Sequence, residues 1–191
     1  MFFVVGLLYI AFRSKPVQSW LAQSITEYLS TELKTKVKVS GVDIAFFKTA
    51  IIEDLYVEDQ SGDTMFYFRE LNLDYNTYKA NKHFIDFNAI AINGGKVYFG
   101  EHKGDSTDNY EFLLDYFDAG PRDPNKPKII WTIQCKEVAL EDVKYDYFQD
   151  NDEAPDFMPF NYNQISFSDI HANLSDFYLI DDSMHFITNT L

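Results

Sequence analysis

The chain has 191 residues and a formal net charge of −14, with 30 acidic against 16 basic side chains. Most of its surface would therefore repel nucleic-acid phosphates, which excludes a general DNA or RNA binder. The single cysteine, Cys135, forms neither an intramolecular disulfide nor a thiolate metal cluster, so disulfide scaffolds and zinc fingers are excluded. Aromatic residues make up 17% of the chain, which favours strands.

The first twelve residues, Met1 to Phe12, are uncharged and apolar and are followed by Arg13. Twelve helical residues reach about 18 Å, whereas a bilayer core needs about 20 residues. The run indicates a membrane anchor cut short, over residues 1–13. A signal-peptide core and an ordinary buried segment are the alternatives, although the basic start and the cleavage site of a signal peptide are missing. The residues predicted to contact the membrane are Phe2, Phe3, Leu7, Leu8, Ile10 and Phe12.

An amphipathic helix is predicted over residues 14–35, because apolar side chains recur there at spacings of three and four. Pro16 suits a first helical turn, where its missing N–H is not needed. The apolar stripe either lies on lipid headgroups or caps the open end of a sheet. Apolar stripes usually face a core, which favours the second alternative. The stripe consists of Val17, Trp20, Leu21, Ile25, Tyr28, Leu29 and Leu33.

From residue 36 onward the apolar period changes to two, which predicts strands with one wet face. The early strands are predicted at 36–40, 42–46, 51–57, 64–68 and 70–76. The segment 58–63 is rich in turn-forming residues and joins two of these strands. This order favours a meander of antiparallel strands.

Three later segments share one plan, in which an apolar strand, a short turn and an aromatic-rich strand follow each other. They cover 84–99, with a turn at 93–95; 129–147, with a turn at 141–142; and 160–187, with a turn at 181–183. A short helix is predicted over 110–118. The recurring plan predicts a repeating β-groove domain over 36–191 that continues beyond the end of the chain. A single β-sandwich is the alternative.

The predicted fold is therefore mostly β. It begins with the membrane segment and the amphipathic helix, and it continues as an elongated, curled antiparallel β-sheet. We expect this sheet to be groove-like and built from repeating hairpin units.

Motifs for catalysis or for metal binding are missing from the sequence. The four histidines lie far apart, with no pair at i, i+4. The acidic segment 104–111 lacks the central glycine and alternating ligands of an EF-hand loop. Nucleophile elbows, phosphate-binding loops and dinucleotide fingerprints do not occur. We predict no enzymatic activity, no metal and no cofactor.

The order of features along the first 76 residues is informative. An apolar anchor, Pro16-Val17-Gln18 and an amphipathic helix precede the strands Val37 to Val39 and Val42 to Phe47, and then the segment Leu55 to Thr64. This order resembles the N-terminus of the AsmA-like superfamily, in particular the TamB type of translocation and assembly module subunit. The segment 160–191 also resembles the strand repeats of large TamB-like proteins, although the anchor is shorter than the family pattern.

The resemblance implies a single-pass inner-membrane protein of a Gram-negative envelope, whose bulk forms a long β-sheet groove in the periplasm. The family is similar to bridge-like lipid transfer proteins, and its members are linked to phospholipid movement toward the outer membrane. Some members are linked to a TamA-type outer-membrane barrel protein. The implied partners are phospholipid, the inner membrane and such a barrel.

A sheet with one apolar face must bury that face, and acyl chains satisfy this need as well as a second sheet does. Residues at alternate positions of a strand share one face. The candidates for the wall of a lipid groove are Val37, Val39, Leu71, Leu73, Ile90, Ile92, Trp131, Ile133 and Cys135. A closed core is the alternative for these residues. Two functions stay open: a lipid-conducting tether, or a scaffold for outer-membrane protein assembly that pairs its sheet edges with a partner strand.

Overall fold

The structure is a computed structural model that describes residues 14–45, 48–117, 131–152, 160–180 and 183–190. The described chain is mostly β, and its eight strands form one open sheet. Among the described helices, none is long and apolar enough to span a membrane. The predicted anchor, with its contacts from Phe2 to Phe12, lies outside the described residues.

The predicted amphipathic helix is present as α1, Lys15–Leu33, with Pro16 in its first turn. The helix ends at Lys34, which adopts a left-handed conformation with φ of 52°, a common way to terminate a helix. The predicted short helix is present as α2, Glu111–Phe117. One 3-10 turn, Ala80–Lys82, precedes the fifth strand.

Long strands dominate the sheet. They are β1 (Val37–Lys38), β2 (Gly41–Ala45), β3 (Thr49–Glu58), β4 (Thr64–Lys79), β5 (Phe84–Glu101), β6 (Thr132–Gln149), β7 (Gln164–Ile180) and β8 (Ser183–Thr190). The strand order is β1-β3-β4-β5-β6-β7-β8, and β2 pairs with β3 beyond the end of β1. The predicted hairpin around residues 58–63 is confirmed as the β3–β4 connection.

The prediction of a wholly antiparallel sheet is wrong at one interface. Strands β5 and β6 are parallel, with Phe84 paired to Thr132 and Glu101 paired to Gln149. Two parallel neighbours need a connection that returns to the starting end of the sheet. The sequence between the two strands is residues 102–131, of which the structure describes 102–117, with α2, and Trp131.

Two of the predicted hairpin turns are also wrong. Strand β5 runs without interruption through residues 93–95, and β6 runs through residues 141–142. Gly94 and Asp142 have φ values of 70° and 55°. A left-handed residue within a paired strand makes a local irregularity and does not require the chain to reverse. In the third unit a hairpin does occur, between β7 and β8.

The helices pack at one end of the sheet. The core there consists of Val37, Val57 and Met65, with Leu29 and Leu33 of α1 and residues of α2 packed against it. Further along α1, Ala22 and Val42 of β2 are buried. Two members of the predicted stripe, Trp20 and Tyr28, are instead 64% and 58% exposed. Helix α1 therefore covers the β1 and β2 edge and leaves these two aromatic side chains outside.

Candidate functional site

Two rows of apolar side chains cross five strands. Side chains of directly paired residues point to the same face of a sheet, and the strand register aligns ten apolar residues in this way. The apolar rows are Ile52, Leu71, Ile92, Leu140 and Ala172, and then Ala50, Leu73, Ile90, Val138 and Leu174.

The apolar rows are incompletely covered. All of their side chains except Ala172 are half-buried. The helices pack on β1, β2 and the core at the sheet end, so the rows on β4 to β7 gain most of their burial from neighbouring strands. The result is an aliphatic surface with room for a further apolar partner.

Beside the apolar rows, the side-chain alternation changes phase at one level of β3 to β6 and one residue pair further along in β7. Two consecutive residues of each strand carry polar or small side chains there. We call this level the polar line; its members are Glu53–Asp54, Arg69–Glu70, Asn93–Gly94, Glu141–Asp142 and Ser168–Asp169. Four of them are left-handed, with φ of 49° at Asp54, 70° at Gly94, 55° at Asp142 and 54° at Asp169.

Beyond the polar line the apolar residues continue. The rings of Phe66 and Phe99 lie 5.4 Å apart, and those of Phe99 and Tyr145 lie 6.2 Å apart. Tyr110, which precedes α2, packs on Phe99 at 4.8 Å. Burial raises the pKa of Tyr110 to about 12, so its hydroxyl stays protonated and donates to Asp108. This part of the face is covered by α2 on β4 and β5.

The opposite face carries compensated charges. The guanidinium of Arg69 lies 3.8 Å from the carboxylate of Asp142, and the ammonium of Lys144 lies 3.0 Å from that of Asp146. Burial alone would raise the pKa of Asp146, but hydrogen bonds from Ser166 and Lys144 lower it overall. Each of these two cations therefore has an acidic partner nearby. Among the described residues, no group of three or more His, Cys, Asp or Glu could hold a metal.

The structure brings four of the nine groove candidates together. Leu71 pairs directly with Ile92, and Leu73 pairs with Ile90, so all four lie in the apolar rows. In the sequence, these four residues alternate with other residues along two strands that were expected to pair antiparallel, which placed them on one face.

The other five candidates lie elsewhere. Ile133 and Cys135 lie further along β6, paired with Ile85 and Phe87. Val37 is 1% exposed in the closed core, and the amide of Val39 donates to Thr26 Oγ1 of α1. Trp131 precedes β6, with its ring 5.1 Å from that of His83. Val37, Val39 and Trp131 are therefore separate from the apolar rows.

Cys135 is a structural thiol. Its side chain is 2% exposed, and burial raises its pKa. The thiol also donates to the carbonyl oxygen of Glu137. A buried, protonated thiol is a poor nucleophile, so Cys135 contributes packing.

Sequence reasoning missed a buried polar cluster between the β3–β4 turn and the segment after β5. Asp59 has a fully buried carboxylate that contacts the imidazole of His102 at 2.7 Å. The side-chain amide of Asn109 donates to the same oxygen at 3.1 Å. These residues are far apart in sequence, so no local spacing could have revealed the cluster.

Comparisons of the chain with protein-family models, with curated proteins and with solved structures gave no match.

Proposed function

We propose that the apolar rows hold the acyl chains of phospholipid. In this proposal the chain forms the start of a hydrophobic groove in an envelope protein. Residues 1–13 anchor it in the inner membrane, its bulk lies in the periplasm, and phospholipid moves along the groove toward the outer membrane. The observation that carries the proposal is the run of aliphatic side chains across β3 to β7.

The chemistry of the apolar rows suits acyl chains. The rows contain only Ile, Leu, Val and Ala, so they present no hydrogen-bonding group to a ligand. Removing such surface from water is worth about 25 cal/mol per Å², and this gain needs no specific polar contact. A partner with a polar backbone would need hydrogen bonds that these side chains cannot supply.

Charge substitutions in the apolar rows test the proposal. We would measure binding of a fluorescent phospholipid to the full chain and to Leu73→Asp and Leu174→Asp, with Asn173→Asp as the matched control. Asn173 neighbours Leu174, but its side chain is exposed. We expect each Leu variant to bind at least about tenfold more weakly, because a carboxylate in an apolar contact is costly. The control should bind as the unsubstituted chain does.

Circular dichroism on the same samples separates loss of binding from loss of fold. A folded Leu73→Asp variant that binds phospholipid normally would contradict the proposal. Global unfolding of both Leu variants, together with no phospholipid binding by the unsubstituted chain, would favour a closed core.

The scaffold function is favoured by a different observation. Among the described strands, β8 lies at one edge of the sheet and is exposed along its whole length, including Met184, Phe186 and Ile187. Such an edge offers unpaired backbone groups to a partner strand. A TamA-type barrel protein that crosslinks to cysteines placed in β8, in a chain that binds no phospholipid, would support this alternative.

A further inference from the structure

We infer that Gly94, Asp142 and Asp169 are positioning residues that extend the acyl-binding surface across the polar line, onto Tyr145, Tyr147 and Phe167. They do so by resetting the side-chain alternation of three neighbouring strands, at one level in β5 and β6 and one residue pair further along in β7. The inference rests on the proposed function, because it concerns further residues of the same surface.

Strand β6 shows the reset most directly. Val138 and Leu140 occupy even positions on the apolar face, whereas Val143, Tyr145 and Tyr147 occupy odd positions. In a regular strand these two sets would lie on opposite faces. Instead, Glu141 and Asp142 are both exposed, and Val143 is only 4% exposed. Strand β6 therefore accommodates one additional residue at Glu141–Asp142, and the apolar side chains after it lie on the same face as Val138 and Leu140.

The neighbouring strands make the same adjustment, so their pairing survives. Asn93 pairs with Glu141, and Gly95 pairs with Val143; the left-handed residues Gly94 and Asp142 thus lie side by side between these pairs. In β7, Ile170 pairs with Val143 and Phe167 pairs with Tyr145. The register shifts by one residue on each side of Val143.

The residue types fit the conformation that the reset needs. Asp and Gly tolerate positive φ better than most residues, and β-branched residues tolerate it poorly. A Cβ at Gly94 would also lie 2.5 Å from the guanidinium carbon of Arg69, so a side chain there would displace that guanidinium. That guanidinium crosses Gly94 toward Asp142 on the polar face.

The surface gained by the reset is most open at Phe167 of β7. Tyr145 and Tyr147 are half-buried, and Phe167 is 57% exposed. Tyr145 contacts Phe99, which belongs to the part of the face that α2 covers. The three aromatic residues therefore continue the aliphatic rows along the two strands that lie farther from the helices.

Site-resolved photocrosslinking of the full chain tests the inference. The probe is a phospholipid with a diazirine in one acyl chain, and mass spectrometry identifies the modified residues. We expect adducts at Val138 and Leu140 and also at Tyr145, Tyr147 and Phe167. Ala139, Lys144 and Asp146 should carry few or none.

A pair of substitutions isolates the conformational role of Asp142. Asp142→Val and Asp142→Gly both remove the carboxylate near Arg69, but only valine disfavours a positive φ. We expect Asp142→Val to lower the adduct yield at Tyr145 and Tyr147 about tenfold relative to that at Val138. Asp142→Gly should preserve the pattern.

The outcomes separate this inference from the proposed function. Adducts confined to the apolar rows would overturn the inference and leave the proposed function standing. No adducts at any of these residues would contradict both. If Asp142→Val does not fold, the inference is tested by the residues that crosslink in the unsubstituted chain and in Asp142→Gly. Modification of Lys144 in place of Tyr145 would overturn the inference.

Discussion

Asp59 shows how one residue joins segments that are distant in sequence. Its carboxylate accepts hydrogen bonds from the amides of Ser61 and Asp63, within the β3–β4 turn. It also contacts His102 and Asn109, on the segment that leads to α2. A buried carboxylate is tolerated only when its lone pairs are used in this way. Asp59 therefore fixes the start of the return connection against the turn.

We predict that Asp59→Ala lowers the free energy of unfolding by about 3 kcal/mol, because it leaves several buried donors without an acceptor. Asp63→Ala is the matched control, since the Asp63 side chain is 67% exposed and lies 4.0 Å from His102. Urea unfolding at neutral pH measures both variants. A loss no larger than that of the control would contradict a stabilising role for the cluster.

The same carboxylate predicts a pH dependence. Burial alone would raise the pKa of Asp59, but the hydrogen bonds from His102, Asn109 and the Asp63 amide outweigh it, so the pKa lies below its ordinary value of 3.8. A lowered pKa in the folded state stabilises the protein above the unfolded-state pKa, and this stabilisation is lost as the pH falls.

The stability difference between the unsubstituted chain and Asp59→Asn should therefore shrink as the pH falls below 3.8. Urea unfolding of both proteins across this range measures it. A difference that grows toward acid pH would mean that the folded state binds the proton more tightly than the unfolded state.

At the scale of elements, α1 is held to the sheet by side-chain hydrogen bonds as well as by apolar packing. The hydroxyl of Ser30 accepts from the Val37 amide at 3.0 Å and lies 3.2 Å from the Val37 carbonyl oxygen, to which it donates. Thr26 accepts from the amide of Val39. These bonds satisfy backbone groups at β1, a strand of only two residues that could not hold its position by ladder pairing alone.

We predict that Ser30→Ala destabilises the protein by about 1–2 kcal/mol, because it leaves the Val37 amide of the core segment unsatisfied. Thr31→Ala, one position further along an exposed part of α1, should change the free energy of unfolding by less than about 0.5 kcal/mol. Thermal and urea unfolding compare the two variants. Equal effects would show that α1 is held by its apolar contacts alone.

Local patterns predicted most of these elements. The spacing of apolar residues gave α1, and the polar segment 58–63 gave the β3–β4 hairpin. The errors at Gly94 and Asp142 have a physical cause, since the same residues that favour turns also tolerate a left-handed position inside a strand. The parallel pairing of β5 and β6 depends on which end of the sheet the long connection between them reaches. Alternation of apolar residues within a strand carries no information about that.

At the scale of the whole molecule, strand register decides which apolar residues form one surface. The groove candidates Leu71, Leu73, Ile90 and Ile92 share one surface because alternation within β4 and β5 and their antiparallel pairing agree there. Val138, Leu140 and Leu174 lie in the same rows but were not among the candidates, since their place there depends on the parallel pairing of β5 with β6. Val37, by contrast, lies in the core, because α1 packs over β1.

The distribution of charge agrees with a molecule that has two different faces. The net charge of −14 and the paired ions on the polar face favour contact with water. The apolar rows, by contrast, are aliphatic across five strands and half-buried. An apolar ligand bound along these rows would shield their aliphatic side chains from water.

The most direct test is to purify the full chain in mild detergent and to quantify the co-purified phospholipid by mass spectrometry. We expect at least one phospholipid per chain, retained through washing and lost in the folded Leu73→Asp variant. A folded chain that retains no phospholipid would contradict the central claim, and the scaffold function would then explain the exposed sheet edge better.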